Sequence, residues 1–414
     1  MASPRIAITG LGFVGAVGAH VSALEAALDQ ERSGLGDLTL FDSELSREYP
    51  VGQYRGDLPS DFAELVRPLS AREAGRLSRS DLLALVAAAE ALQMAALPEA
   101  ARRGAGVYLG QSVCGTLSSE SYYLDCAAQA ASHGRASPSH LDRLFVHDGA
   151  NSGDAIAREF GMGGPMASLM TACSSGANAL GLAANRIACG QAEVMLAGGA
   201  DSLSRIAFLG FAGLGVMSPE GPRPFDAARK GMCVGEGAGL LVLESEAHAR
   251  ARRAPVLAWL TGYGHSCDAH HLTAPHPEGL GAQAAMNQAL ADAGLAPSDI
   301  GFVSAHGTGT LDNDKVEALA ITRVFGPRAV PVSSTKRYFG HTLAASGAIK
   351  AVLCVLALQR RRLWPNLGLR TAQDDSLDLV LQARPAPQLQ HVLSNSFGFG
   401  GNNAALVFSA GDRP

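Results

Sequence analysis

Leu169-Met-Thr-Ala-Cys-Ser-Ser-Gly-Ala-Asn-Ala-Leu180 carries the end of a strand, a tight turn and the start of a helix in one short run. Apolar residues run into a turn of small residues, then a cysteine, then helical spacing through Leu180, Leu182 and Ile187. A strand feeding a helix through so tight a turn puts Cys173 at the helix N-terminus. Free amide groups and the positive end of the helix dipole there favour a thiolate over a thiol. The spacing therefore predicts a nucleophile that needs no general base in direct contact. A buried structural cysteine is the competing reading of the same residues.

Working outward, the chain of 414 residues is 47% hydrophobic and 17% charged, enough for two or three domains or one large α/β unit. A net charge of −5 lacks the basic footprint of general nucleic-acid binding. The 7 cysteines are scattered and none forms a CxxC pair, which argues against a disulfide framework and a zinc knuckle. The N-terminus opens on a strand-like run, Arg5-Ile-Ala-Ile-Thr-Gly10, without a signal-peptide pattern. No uninterrupted apolar run has membrane-spanning length. The expectation is a soluble, cytoplasmic protein of a reducing compartment, with no metal, membrane or nucleic-acid partner.

Gly10-Leu-Gly-Phe-Val-Gly15 resembles a dinucleotide fingerprint. No second strand closed by an acidic residue follows about 20 residues on, so it reads as an ordinary glycine turn. Ser70–Ala96 has helical periodicity, with Arg72, Arg76 and Arg79 at its start. These arginines are either a solvated face or a landing patch for an acidic protein. Ser118–His133 reads as an excursion near a pocket or subunit interface. The second half then repeats the first in outline. Val256–Gly262 opens it as a strand, and Val332–Thr335 leads into a helix over Leu343–Leu358 as the Cys173 segment does. This suggests duplication around a pseudo-twofold core, with halves at 1–252 and 253–414.

Three further segments carry chemistry. They are Ser304-Ala-His-Gly-Thr-Gly-Thr310 with Asp314 and Glu317, Ser334-Thr-Lys-Arg-Tyr-Phe-Gly-His341, and Asn395-Ser-Phe-Gly-Phe-Gly-Gly-Asn402. Each sets polar or aromatic groups on a turn beside a strand, where sites are built. Two histidines in glycine turns, in register with a nucleophile cysteine, weigh against a purely structural reading.

Taken together, Thr171-Ala-Cys-Ser-Ser-Gly176, Ala305-His-Gly-Thr-Gly-Thr310, Thr335-Lys336 with Gly340-His341, and Ser396-Phe-Gly-Phe-Gly-Gly401 resemble the β-ketoacyl-acyl-carrier-protein synthases of the thiolase superfamily. Phe225-Asp226, Gly235-Glu-Gly237 and Asp268-Ala-His-His-Leu-Thr-Ala-Pro275 extend the resemblance over nearly the whole chain. It implies a thiolase-like five-layer αβαβα sandwich of two duplicated halves, and a dimer with itself or with a chain-length-factor-like homologue. It implies an acyl group carried on Cys173, decarboxylation of malonyl on an acyl carrier protein, and a Claisen condensation between them. No cofactor belongs to the chain itself, because phosphopantetheine arrives on the carrier.

The same resemblance implies the roles. Cys173, His306, His341 and Lys336 form the catalytic set. The amides of Cys173 and Phe399 form the oxyanion hole, a contribution of about 3–4 kcal/mol per donor. Lys336 pairs with Glu317 and orients the histidines, and Asp314 supports them. Thr308, Thr310 and Thr273 hold the pantetheine arm, Val113 and Phe211 line the acyl pocket with Cys114, and Arg72 and Arg76 meet the carrier. Degradative thiolases carry a second cysteine that is not found here, and chain-length-factor subunits lack the one that is. Asn402, Arg337-Tyr-Phe339 and Gly75 depart from the family pattern. They bear on acyl specificity and partner choice, and lean toward a secondary-metabolite synthase such as one making polyenes. A non-condensing acyltransferase or a structural partner subunit are the alternatives.

Overall fold

The computed structural model describes residues 5–134 and 142–411. In the first half, β1 (Ile6–Gly15), β2 (Gly106–Gly110), β3 (Met166–Leu169), β4 (Val194–Asp201) and β5 (Gly237–Ser245) lie in the order β1-β5-β4-β2-β3. In the second, β6 (Ala258–Cys267), β7 (Phe302–Ser304), β8 (Pro331–Ser333), β9 (His391–Gly398) and β10 (Asn402–Ala410) lie in the order β6-β10-β9-β7-β8. The pairing senses also repeat. β5 is antiparallel to β1 and β4, and β2 is parallel to β4 and β3. β10 is antiparallel to β6 and β9, and β7 is parallel to β9 and β8. The halves join where Ile6–Ile8 pairs with Ala258–Leu260.

The site depends on eight helices: α1 (Arg79–Ala95), α2 (Thr116–His133), α3 (Ala150–Phe160), α4 (Ser175–Ala188), α5 (Arg205–Gly213), α6 (Leu280–Ala293), α7 (Leu311–Phe325) and α8 (Ser346–Arg360). α1 and α3 cover the outer face of the first sheet, and α6 with α7 the outer face of the second. α4 and α8 lie between, each touching strands of both halves. Five layers result, as the resemblance implied. Gly176 and Gly347, the second residues of α4 and α8, let these helices touch. A Cβ on Gly176 would lie 2.7 Å from the Ala344 carbonyl, and one on Gly347 2.8 Å from the Ala177 Cβ.

Three local readings change. The helix expected from Ser70 is broken: a turn at Ala71–Ala74 ends near Gly75, and α1 restarts at its own capping box, Ser78 with Asp81. Arg79 then turns inward onto Glu236, at 2.6 Å, and is no part of a landing patch. Ser118–His133 is ordinary helix, most of α2. The Gly10–Gly15 run is strand, not turn. A Cβ on Gly12 would sit 1.8 Å from the Ala87 carbonyl of α1, so glycine there serves close helix–strand approach.

The segment Leu343–Arg360 has the length and mean hydropathy (1.5) of a membrane span, yet 89% of it is buried in the protein. It is the central core helix.

Candidate active site

Cys173 lies in a 3₁₀ turn, Ala172–Ser174, between β3 and α4. The equivalent turn of the second half, Leu343–Ala345, precedes α8. Both open on a non-glycine residue with left-handed backbone, Ala172 at φ 53° and Leu343 at φ 49°. Each such residue costs about 1 kcal/mol, so the duplicated fold holds a matched strained turn on both sides of the site. One turn presents Cys173. The other presents its Leu343 amide to His341 Nδ1 at 3.2 Å. That backbone group can only donate, so the neutral His341 ring carries its proton on Nε2.

Cys173, His306, His341, Phe211, Phe399, Thr273, Thr308 and Thr310 line one cavity of about 280 Å³. Phe397, Asp268 and Asn403 also reach it. His306 follows β7 on a turn whose amides are held by Glu317, from His306 N–H and Gly307 N–H at 2.7 Å each. Asp314 does the same for the next turn, accepting from Gly309 N–H at 3.1 Å and from Phe225 N–H at 2.7 Å. Thr308 and Thr310 are thereby fixed, their hydroxyls 2.9 Å apart. The His306 and His341 rings meet edge-on, 5.2 Å between centroids. Phe399 rests on Phe211, centroids 5.7 Å apart, beside Gly400 at φ 79°. Asn402 donates to the Phe399 carbonyl at 3.3 Å, closing that turn.

The electrostatics overturn one expectation. Burial pushes the Cys173 thiol up to about 11, against the opposing pull of the Lys336 ammonium and the amides of Phe399 and Cys173. The helix terminus does not by itself hold a thiolate, because desolvation outweighs it. Cys173 is a buried thiol that must hand its proton on as it attacks. His306 is the available acceptor, because His341 Nδ1 already accepts the Leu343 amide and its Nε2 holds the ring proton. Burial, and then the Lys336 charge, hold His306 and His341 well below the ordinary histidine value. His306 Nδ1 is buried without a hydrogen-bond partner among the described residues.

Lys336 does not form the expected ion pair with Glu317. Its Nζ donates to the His306 carbonyl at 3.0 Å and to Ser346 Oγ at 2.9 Å. Burial pulls this ammonium down to about 8, with Cys173 and Glu317 opposing. Val113 is likewise absent from the Cys173 cavity. Together with Cys114, Met170 and His147 it lines a separate one, because Asp201 holds its loop. That carboxylate accepts from Ser112 Oγ at 2.6 Å, Val113 N–H at 2.8 Å, Cys114 N–H at 3.1 Å and, across the molecule, Ala344 N–H at 3.0 Å. Arg72 and Arg76 are exposed and make no ion pair among the described residues. Asp201 and Lys350 went unnoticed in the sequence, and Phe397 was quoted in its glycine-rich motif without a role. Of the first two only Lys350 left a signal there, as the lone charge inside an apolar helix.

Residues 3–249 match the family described as "Beta-ketoacyl synthase, N-terminal domain", and residues 257–370 its "C-terminal domain". The chain belongs to the β-ketoacyl synthase family. It is 34% identical to the 3-oxoacyl-(acyl-carrier-protein) synthase 2 of Staphylococcus aureus (strain COL), over 98% of both chains. It is 36% identical to a putative polyketide beta-ketoacyl synthase 1 of Streptomyces halstedii, over 99% of both. Among solved structures it is similar to the ishigamide ketosynthase/chain length factor. The TM-score there is 0.91 at 32% identity, over 99% of this chain and 100% of that one. The β-ketoacyl synthase site thus joins a cysteine from one half to two histidines from the other.

Proposed function

We propose that this chain, an acyltransferase-class condensing enzyme, takes an acyl group onto Cys173 from an acyl carrier protein and joins it to malonyl on a second carrier with loss of carbon dioxide. The observation that carries the reading is the single cavity holding Cys173, His306, His341 and Phe399. In the loading step the Cys173 sulfur attacks the carrier thioester, its proton passes to the neutral His306 imidazole, and the carrier's pantetheine sulfur leaves, taking that proton back as a thiol. The amides of Cys173 and Phe399 receive the oxygen as it becomes negative. In the second step His306 and His341 donate to the malonyl thioester oxygen, which takes up the electrons released as carbon dioxide leaves. The resulting carbanion attacks the Cys173 thioester and frees the sulfur. The chain needs no metal and no resident cofactor for these steps. Thr308, Thr310 and Thr273 hold the pantetheine arm, and Phe399, seated on Phe211, gates the malonyl side. Arg72 and Arg76 offer cations to an acidic carrier.

A dimer is part of the proposal, with a second copy or with a chain-length-factor-like homologue. Support comes from edge strand β3, whose residues alternate exposed and half-buried, flanked by exposed Met170 and Leu182. A cytoplasmic location is supported by cysteines that are all unpaired. The kinship with a polyketide synthase supports, without choosing, a secondary-metabolite role.

Cys173→Ala tests the nucleophile. Incubation with acyl carrier and intact-protein mass spectrometry should show acylation of the natural chain and none of the variant, both folded by circular dichroism. Acylation that survives in the variant contradicts the assignment.

A further inference from the structure

The backbone turn at His306 is gripped on both its donor and its acceptor side. Glu317 takes the amides of His306 and Gly307 at 2.7 Å each. Lys336 Nζ binds the His306 carbonyl at 3.0 Å, and Lys350 Nζ the Ala305 carbonyl at 3.4 Å. Lys350 comes from the middle of α8, between fully buried Ile349 and Ala351, and is itself 1% exposed. Burial, and then the Lys336 charge, pull its ammonium down to about 7, with Glu317 opposing.

We propose that Lys350 is a positioning residue for the malonyl half-reaction, holding, with Lys336 and Glu317, the turn that sets His306 in the cavity wall. The proposal rests on the reading that His306 and His341 act on the malonyl group. The titratable and charged groups around Lys350 are Lys336 from the short helix Lys336–Phe339, Glu317 and Asp314 from α7, Cys354 from α8 itself, and the two imidazoles. Lys336, held at about 8, and Lys350, held at about 7, face Glu317 and Asp314, and the protonated form of either lysine pushes both rings toward the uncharged state. That field acts in the same sense as burial, keeping the imidazoles uncharged, with Lys350 adding to Lys336. An uncharged ring can take the Cys173 proton and still donate from its remaining N–H.

The test compares the natural enzyme with Lys350→Met and Lys350→Arg. Three readouts are taken: Cys173 acylation by acyl carrier, carbon dioxide release from malonyl carrier, and imidazole titration by NMR of histidine-labelled protein. Lys350→Met should load within about twofold, lose about 10- to 100-fold in carbon dioxide release, and titrate its two buried imidazoles at higher pH. Lys350→Arg should recover part of that release and keep the lower titration. If Lys350→Met does not fold, Lys350→Gln, which removes the charge and keeps a polar group at the position, is read by the same three readouts. Unchanged release with unchanged titration overturns the proposal. So does an equal fall in loading and release that Lys350→Arg leaves unrepaired, which marks a merely structural lysine. If the natural enzyme itself releases no carbon dioxide, the histidine reading fails. The titration then decides Lys350 alone: an upward shift supports it and no shift overturns it.

Discussion

The imidazoles of His306 and His341 meet edge-on, with centroids 5.2 Å apart and planes at 81°, in the wall of the cavity that also holds Cys173. Two neighbouring cationic rings in a dry pocket would repel each other, so the geometry itself favours a neutral pair. Neutral rings and a protonated sulfur, flanked by the buried amines of Lys336 and Lys350, define the state from which the chemistry starts.

The two histidines divide the reaction. His341→Ala should retain Cys173 acylation to within about tenfold and reduce carbon dioxide release from malonyl carrier by about 10²-fold or more, while His306→Ala, which also removes the acceptor of the Cys173 proton, should slow both half-reactions. Parallel single-turnover assays of the two half-reactions check this. Equal loss of loading and release in His341→Ala would mean that this ring serves the sulfur and not the malonyl group.

The sulfur should behave as a buried thiol. Its alkylation rate by iodoacetamide should climb about tenfold per pH unit through the mildly alkaline range, without levelling off near neutrality. The reason is a thiol held near about 11. Lys336→Met removes the nearest opposing charge and should slow alkylation at any fixed pH below that value. A plateau near pH 7 would show that the helix terminus holds a thiolate after all.

The acid side of malonyl decarboxylation follows from the same burial. Both imidazoles are held well below the ordinary histidine value, so they stay uncharged as pH falls through about 6.5. Rates measured downward from neutrality should hold across that point and drop only in more acidic buffer. A half-maximal point at or above about 6.5 would place the rings in a wetter setting than the fold gives them.

Glu317→Gln tests the clamp. The carboxylate accepts two backbone amides and balances two buried ammonium groups. Replacing it leaves one amide facing an NH₂ group and the cations uncompensated, a loss of about 3 kcal/mol. Urea unfolding should show a lower midpoint at unchanged slope, and carbon dioxide release should fall with loading largely kept.

Much of the architecture was legible. Ile6–Gly12 and Val107–Gly110 are apolar runs closed by glycine, Ala404–Phe408 is an apolar run that follows a glycine-rich turn, and all three are strands. The duplication was visible because each half repeats a strand, a small-residue turn and a long apolar helix. Cys173, His306 and His341 stood out because each sits in a turn of small residues where a reactive side chain has little other purpose. What pairing across the chain decides was not legible. The resemblance implied an ion pair between Glu317 and Lys336, yet each is taken up by backbone of the His306 turn. Asp201 gathers amides from residues 112–114 and from Ala344, partners that no spacing rule connects. Val113 looked like pocket lining until that grip drew its loop to a different cavity. Burial was also invisible, and burial decides the state of the Cys173 sulfur.

The most direct test mixes the enzyme with an acyl carrier protein and malonyl carrier protein and weighs the carrier-bound product. The account predicts a β-ketoacyl carrier longer by one two-carbon unit, formed with one carbon dioxide per turnover and absent with Cys173→Ala. Acylated Cys173 that accumulates beside intact malonyl carrier, with no elongated product, would contradict it.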